Sequence, residues 1–161
     1  ILSGLLRHAV AFQSSAGSMS ALPQGLPYSL GKGYQLFFLK NLQDLRSCEI
    51  NDILAFLPKG EPLLEIGAGS GLQARILADH GFHVEAIDIP GRSHSEDPAW
   101  PVQEYDGKHI PFPDNHFGII FSSNVLEHIP HVRSFQCEIM RVLKADGIAV
   151  HILPTASWRF Y

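Results

Sequence analysis

From residue 60 onward the chain alternates short apolar runs with amphipathic ones. Leu63–Ile66 is a compact apolar run interrupted only by Glu65, which predicts a buried strand. Leu72–His80 follows with helical spacing and stops at Gly81, a residue suited to the left-handed turn that closes a helix. His83–Ile87 and Val102–Tyr105 read as a second and a third strand, separated by a polar, proline-bearing loop over Pro90–Pro101. Ile110–Asn115 is a proline-punctuated turn. Phe117–Ser122 is apolar on nearly every residue, as expected of a strand covered on both faces. Val132–Leu143 repeats apolar residues at Phe135, Ile139, Val142 and Leu143, predicting an amphipathic helix. Lys144-Ala145-Asp146-Gly147 predicts a turn, and Ile148–Leu153 a fifth strand. This alternation predicts an α/β fold: a doubly wound, mostly parallel sheet with helices on both faces.

The first third of the chain has a different rhythm. Ile1–Phe12 has helical spacing at Leu2, Leu5, Leu6 and Ala9, and Ser14–Pro27 is a Ser-, Gly- and Pro-rich loop or linker. Gln35–Phe56 carries Leu36, Leu39, Leu42, Leu45, Ile50, Ile53 and Leu54 at helical period, and predicts two helices broken near Ser47-Cys48, with Ser47 or Asn51 as a cap. The chain therefore divides into an N-terminal helical segment, 1–58, and a strand–helix domain, 59–161.

With 161 residues, 45% hydrophobic and 17% charged, the sequence holds enough apolar material for one globular core. A net charge of −4 without a basic block gives no strong nucleic-acid signal. Cys48 and Cys137 are far apart in sequence and form no CxxC pair, which fits a reducing, cytoplasmic location. Ile1–Phe12 is too short to span a bilayer and is interrupted by Arg7 and His8, so no membrane span is expected. The first residue is Ile rather than Met, which reads as part of a longer chain.

The polar residues that stand out all follow the ends of predicted strands. Glu65, Gly67, Gly69 and Gly71 follow the first, Asp88 the second, Asp106 the third, and Ser122, Ser123 and Asn124 the fourth. In a doubly wound sheet ligands sit beyond the carboxyl ends of the strands, where the strand order reverses. Alternate glycines leading into a helix let the backbone approach a ligand and aim N–H groups at it. Asp88 lies about twenty residues after the glycines, the distance expected of an acid that grips ribose hydroxyls; its plain alternative is a helix cap. The pattern implies a nucleoside-containing ligand. From Gly69 the glycines can also be read as GxGxxA with Ala74, so a dinucleotide stays open on glycines alone. Glu65 argues against one, because an acid there would repel a pyrophosphate but suits a cationic amino group, directly or through water.

The set resembles the class I S-adenosylmethionine-dependent methyltransferases of small-molecule type. Glu65-x-Gly67-x-Gly69-x-Gly71 is similar to the first motif of that family, and Asp88 to its ribose-binding acid. Asp106 in Tyr105-Asp106-Gly107 is similar to the acid that meets the adenine amino group, and Phe112–Ile120 to the approach to the fourth strand. Ser122–Ile129, containing Asn124, Glu127 and His128, is similar to the segment after that strand, and Arg141–Gly147 to the turn before the fifth. The resemblance covers about residues 60–155 and implies a Rossmann-like fold. It implies S-adenosylmethionine as cofactor and S-adenosylhomocysteine as product. Glu65, Gly67, Ala68, Gly69, Gly71, Asp88, Ile89, Asp106, Gly107 and Asn124 would line the cofactor site, with its carboxylate on backbone N–H groups. For Asp106 an Asp-Gly turn role stands beside the adenine role.

An oxygen or nitrogen acceptor also needs a base within reach. His128 is the candidate, with Glu127 and His131 behind it; the alternative is that Glu127 and His128 merely open a helix. The His80/His83 and His128/His131 pairs lack further ligands at metal spacing, so no metal is expected. Tyr28, Tyr34, Phe37 and Phe38 could form an aromatic lid or simply pack a core. The family's last strands form a hairpin that the sequence lacks, leaving the fifth strand as an edge open to a chain–chain contact. The acceptor would be a small molecule. Two other readings stand beside a methyltransferase: a noncatalytic cofactor- or partner-binding module of the same fold, and an NAD-dependent oxidoreductase.

Overall fold

A computed structural model describes residues 32–91 and 98–153. The readings of Ile1–Phe12, Ser14–Pro27 and Tyr28, of part of the Pro90–Pro101 loop, and of the side chains of Tyr34, Phe37 and Phe38 lie outside the described residues.

Five strands form one all-parallel sheet: β1 (Pro62–Ile66), β2 (His83–Asp88), β3 (Gln103–Glu104), β4 (Phe117–Ser123) and β5 (Leu143–Ile152), in the order β3-β2-β1-β4-β5. The chain winds outward from β1 to β3, returns to the other side of β1 as β4, and continues to β5. The reversal puts the switch point between β1 and β4, at the crevice where such sheets take ligands. Among the described residues, helices α1 (Lys32–Ile53), α2 (Leu72–Asp79) and α3 (Val132–Val142) accompany the sheet.

Alternation along the strands builds two cores. Leu63, Val84, Ala86, Ile119 and Phe121 face α1 and α2, where they meet Ile50, Ile53 and Leu77. Leu64, Ile66, Ile87 and Ile120 point the other way and pack on Phe135, Ile139 and Val142 of α3. β4 is buried throughout, because helices cover both of its faces. Glu65 is the exception in this pattern: it occupies an inward position facing α1 and α2 and is only 2% exposed.

Three readings need correction. The predicted break at Ser47-Cys48 is absent, and α1 runs unbroken to Ile53. The Ser47 hydroxyl donates to the Gln43 carbonyl one turn back (2.9 Å) instead of capping a new helix. Asn51 lies within α1 as well, and a 3₁₀ turn at Leu54–Phe56 ends the segment. The second correction concerns Lys144–Gly147, which lies within β5. Leu143 pairs with Phe117 and Ile148 with Ile119, so the four residues form a bulge that absorbs the register shift. Last, the alternative that Glu127 and His128 open a helix does not hold: Leu126–His128 is an isolated 3₁₀ turn, and α3 starts at Val132, where its spacing predicts it. β5 pairs with β4 alone and is the outer strand among the described residues.

Candidate ligand-binding site

The loop after β1 is shaped by its glycines and tied to β2. Gly67, Gly69 and Gly71 all have positive φ (74°, 55° and 77°), a region that strains other residues. The N–H groups of Gly67 and Ala68 both donate to the Ile87 carbonyl, at 2.8 and 3.2 Å. Gly71 is the N-cap of α2, and a side chain there would strike Trp100. A side chain at Gly67 would collide with Val125. At Gly69 a Cβ would meet nothing within 4 Å, so this is where the loop backbone faces open space.

Asp88 locks this loop from β2. Its Oδ2 accepts the Gly69 N–H at 2.7 Å and its Oδ1 the Ile89 N–H at 2.7 Å. Residues 89–91 form a turn and not the first turn of a helix, which argues against the helix-cap alternative. The next strand end is adjacent: the Tyr105 N–H donates to the Asp88 carbonyl at 3.0 Å, and the Gly107 Cα lies against Ile89. Asp88 and Asp106 are thus on the same rim. Asp106 is largely engaged by its own turn, with Oδ1 accepting the Lys108 and His109 N–H groups (2.8 and 2.7 Å) and Oδ2 3.1 Å from His109 Nδ1. These bonds, led by the His109 backbone N–H, hold its carboxyl down at about 2.

Glu65 is the electrostatic outlier. Burial pushes its carboxyl from 4.5 up to about 8, with the Ala74 N–H and the Arg46 guanidinium opposing the shift and Asp88 adding to it. Its Oε2 is buried without a hydrogen-bond partner. A buried acceptor left unpaired costs roughly 1–3 kcal/mol, so the position favours a ligand that supplies a donor.

Asn124 begins the loop after β4 at φ 55°, its N–H donating to the Ile152 carbonyl (2.9 Å) and its Nδ2 to Ser123 Oγ (3.1 Å). His128 follows in the 3₁₀ turn, with its side chain 72% exposed and its Nε2 4.0 Å from Glu127 Oε1.

Sequence reasoning missed a polar network behind this rim. Glu49 Oε2 accepts from Arg46 Nη1 (2.7 Å), Gln73 Nε2 (3.1 Å) and Ser123 Oγ (3.1 Å). Arg46 Nη1 also donates to Ser123 Oγ at 2.8 Å. The Arg46/Glu49 pair at i,i+3 on a helix that otherwise packs on the sheet was the available signal. A separate hollow of about 300 Å³ lies toward the amino ends of β1, β2 and β4, lined by Pro62, His83, Trp100 and His116 among others.

The methyltransferase domain family matches residues 64–151 of the chain. An uncharacterized methyltransferase of Mycobacterium avium is 35% identical over 100 residues, covering 56% of this chain and 38% of that protein. The 2-methyl-6-phytyl-1,4-hydroquinone methyltransferase of Synechocystis is 34% identical over 110 residues, covering 63% of this chain and 33% of that protein. The chain therefore spans well under half the length of these relatives. The crystal structure of an S-adenosylmethionine-dependent methyltransferase from Aquifex aeolicus superposes with a TM-score of 0.54 at 22% identity, covering 71% of this chain and 69% of that one, a likeness of fold. The family match favours the methyltransferase reading over the oxidoreductase one that the glycines alone left open. With a Glu-x-Gly-x-Gly-x-Gly loop at the switch point of a parallel 3-2-1-4-5 sheet, the chain belongs to the methyltransferase domain family.

Proposed function

We propose that the chain carries the S-adenosylmethionine site of an enzyme that methylates a small-molecule acceptor. The observation that carries the reading is the buried, unpartnered Oε2 of Glu65 beside a glycine loop held open by Asp88. An orphaned acceptor next to exposed backbone suits a ligand with a cationic amino group and a nucleoside. When bound, the cofactor supplies a methyl group on a sulfonium, an electrophile with a neutral leaving group.

On this reading Glu65 takes the ammonium, and the backbone at Gly67, Ala68, Gly69 and Gly71 forms the floor. The free lone pairs of Asp88 accept from the ribose hydroxyls, and Ile89 packs beside the base. Asp106 and Gly107 border the adenine edge, and Asn124 closes the β4 side. The protein's share of catalysis is placement, since holding acceptor and methyl in line supplies several kcal/mol. His128, exposed past β4, would take the proton of an oxygen or nitrogen nucleophile. A small acceptor accords with the hydroquinone substrate in the name of the Synechocystis relative. Cys48 and Cys137 are free and exposed, as a cytoplasmic setting allows. No described helix is long and apolar enough to cross a membrane.

Ligand-induced thermal shift tests the reading. At 100 times its dissociation constant a ligand stabilises by about 2.7 kcal/mol, so S-adenosylmethionine and S-adenosylhomocysteine should raise the melting temperature and NAD should not. A shift with NAD alone would overturn the assignment.

A further inference from the structure

β4 is apolar until it ends on Ser122 and Ser123, and strand alternation sends the two hydroxyls to opposite faces of the sheet. Ser123 joins the α1 network. Ser122 lies two residues past Ile120, on the face that α3 covers, and is wholly buried. Its Oγ is 2.8 Å from Nδ1 of His151 on β5. The two residues are register partners, so the sheet itself sets the contact. Among the described residues His151 Nε2 has no hydrogen-bond partner, and Glu65 Oε2 alone is both buried and unpaired, so Nε2 reaches the surface.

This pair belongs to the rim that carries the glycine loop. On its other side Ser122 pairs with Ile66, the residue before Gly67. Ile66, Ser122 and His151 form one row across β1, β4 and β5, and at the usual strand spacing the ends of the row are about 10 Å apart. The loop after β4 bridges the same span. Its Val125 side chain abuts Gly67, and the Asn124 N–H donates to the carbonyl of Ile152, the residue after His151. Val125, Leu126 and Ile129 pack on the apolar core beneath this row.

Two properties suit the His151 ring to proton transfer. Burial alone lowers its proton affinity, with no charged group of β4, β5, α3 or the loop after β4 adding to the shift, so the imidazole is neutral near neutral pH. A hydroxyl is also a partner for both protonation states. It donates to a bare Nδ1 or accepts from Nδ1–H, so the ring keeps its place while Nε2 gains or loses a proton. His128 has neither property: its side chain is 72% exposed and its Nε2 lies 4.0 Å from Glu127.

We propose that the Ser122–His151 pair is the acceptor side of the site, His151 Nε2 receiving the proton of the oxygen or nitrogen that is methylated and Ser122 fixing the ring. The role rests on the cofactor reading above and moves proton acceptance from His128 to β5. The acceptor gains a methyl group and gives one proton to Nε2, the electron pair of the broken carbon–sulfur bond stays on sulfur, and the proton then passes to water. Such a base serves a hydroxyl or an N–H group that is protonated near neutral pH, and is of no use to a carboxylate. The apolar side chains of Val125 and Leu126 beside the row suit an acceptor with an apolar body.

Histidine ring titration by NMR on the full chain tests this without knowledge of the acceptor. Two ligands are compared: S-adenosylhomocysteine, whose sulfur is uncharged, and sinefungin, which carries a charged amine at the methyl position. His151 should titrate at least about half a pH unit lower with sinefungin than with S-adenosylhomocysteine, because the added cation faces Nε2. His151→Gln and His128→Gln assign the resonances, and backbone correlations on the unmodified chain assign them if a variant does not fold. Ser122→Ala should mix the two ring tautomers in the nitrogen shifts, and Ser122→Thr should restore the single form. A response at His128 with none at His151 would overturn the proposal, as would identical His151 titrations with both ligands. A ring equally fixed in Ser122→Ala would remove Ser122 from the pair. Binding of neither ligand by the unmodified protein would overturn the cofactor reading, and the role of the pair with it.

Discussion

The carboxylate of Asp88 accepts the backbone N–H of Gly69 at 2.7 Å, so the acid at the end of one strand sets the shape of the loop after its neighbour. That side chain holds the loop open and, on the proposed cofactor reading, would present its remaining lone pairs to the ribose. Asp88→Ala is expected to lower the affinity for S-adenosylhomocysteine by about 1.5–3 kcal/mol, the worth of hydrogen bonds to a charged group. It should also lower the melting temperature without ligand, because Gly69 loses its acceptor. Calorimetry and thermal unfolding on the same variant read the two effects, and unchanged affinity in a folded variant would remove Asp88 from the site.

Gly67 and Gly69 are separable although both have positive φ. A Cβ at Gly69 meets nothing within 4 Å, so Gly69→Ala should cost only about 1 kcal/mol of left-handed strain. Gly67→Ala adds a collision with Val125 and should cost clearly more, about 2–4 kcal/mol. Urea unfolding measures the difference. Gly69→Val fills the space in front of the loop and should abolish ligand binding while the chain remains folded.

Glu65 links the site to pH. Its carboxyl is raised in the folded chain to about 8 from 4.5, so the folded state holds a proton that the unfolded state gives up. Its contribution is complete below the unfolded value and disappears as pH rises through about 8. The ligand-free protein should therefore lose stability over that interval, and Glu65→Gln should flatten the loss. Pairing with an ammonium requires the carboxylate, so S-adenosylhomocysteine should bind more tightly as pH rises toward about 8, releasing protons. Calorimetry in buffers of different ionisation enthalpy counts them.

Arg141 fastens the turn before β4. Its guanidinium donates to the carbonyls of Ile110 and Phe112 (both 2.9 Å), to Asp114 (2.8 Å) and to Glu138 (2.9 Å). Arg141→Met leaves Glu138 and two carbonyls short of donors and should destabilise the chain by about 2–3 kcal/mol in urea unfolding. Ligand affinity should change little, because this turn lies at the amino end of β4.

The strand–helix rhythm, the glycine loop and the acids at successive strand ends were legible because their causes are local. A residue between two buried faces must be apolar, a helix closes on a glycine, and a loop that approaches a ligand sheds its side chains. These signals located β1, β2, β4, α2 and α3 to within a residue or two at each end. The same reasoning failed at Lys144–Gly147, whose turn-like residues form a bulge because β4 continues alongside them. It failed again at Ser47, whose hydroxyl found a carbonyl in its own helix.

The sequence by itself determined that the chain builds a parallel sheet with a glycine loop at its switch point, since apolar period and backbone conformation are written residue by residue. Tertiary structure alone decided which polar groups meet there. Arg46 and Ser123 are 77 positions apart and hydrogen-bond only because α1 folds over the ends of β1 and β4. It also decided that Glu65, polar in sequence, sits in a dry interior with one oxygen unpartnered. Burial and partnership arise from distant segments packing together, and no local pattern carries that information.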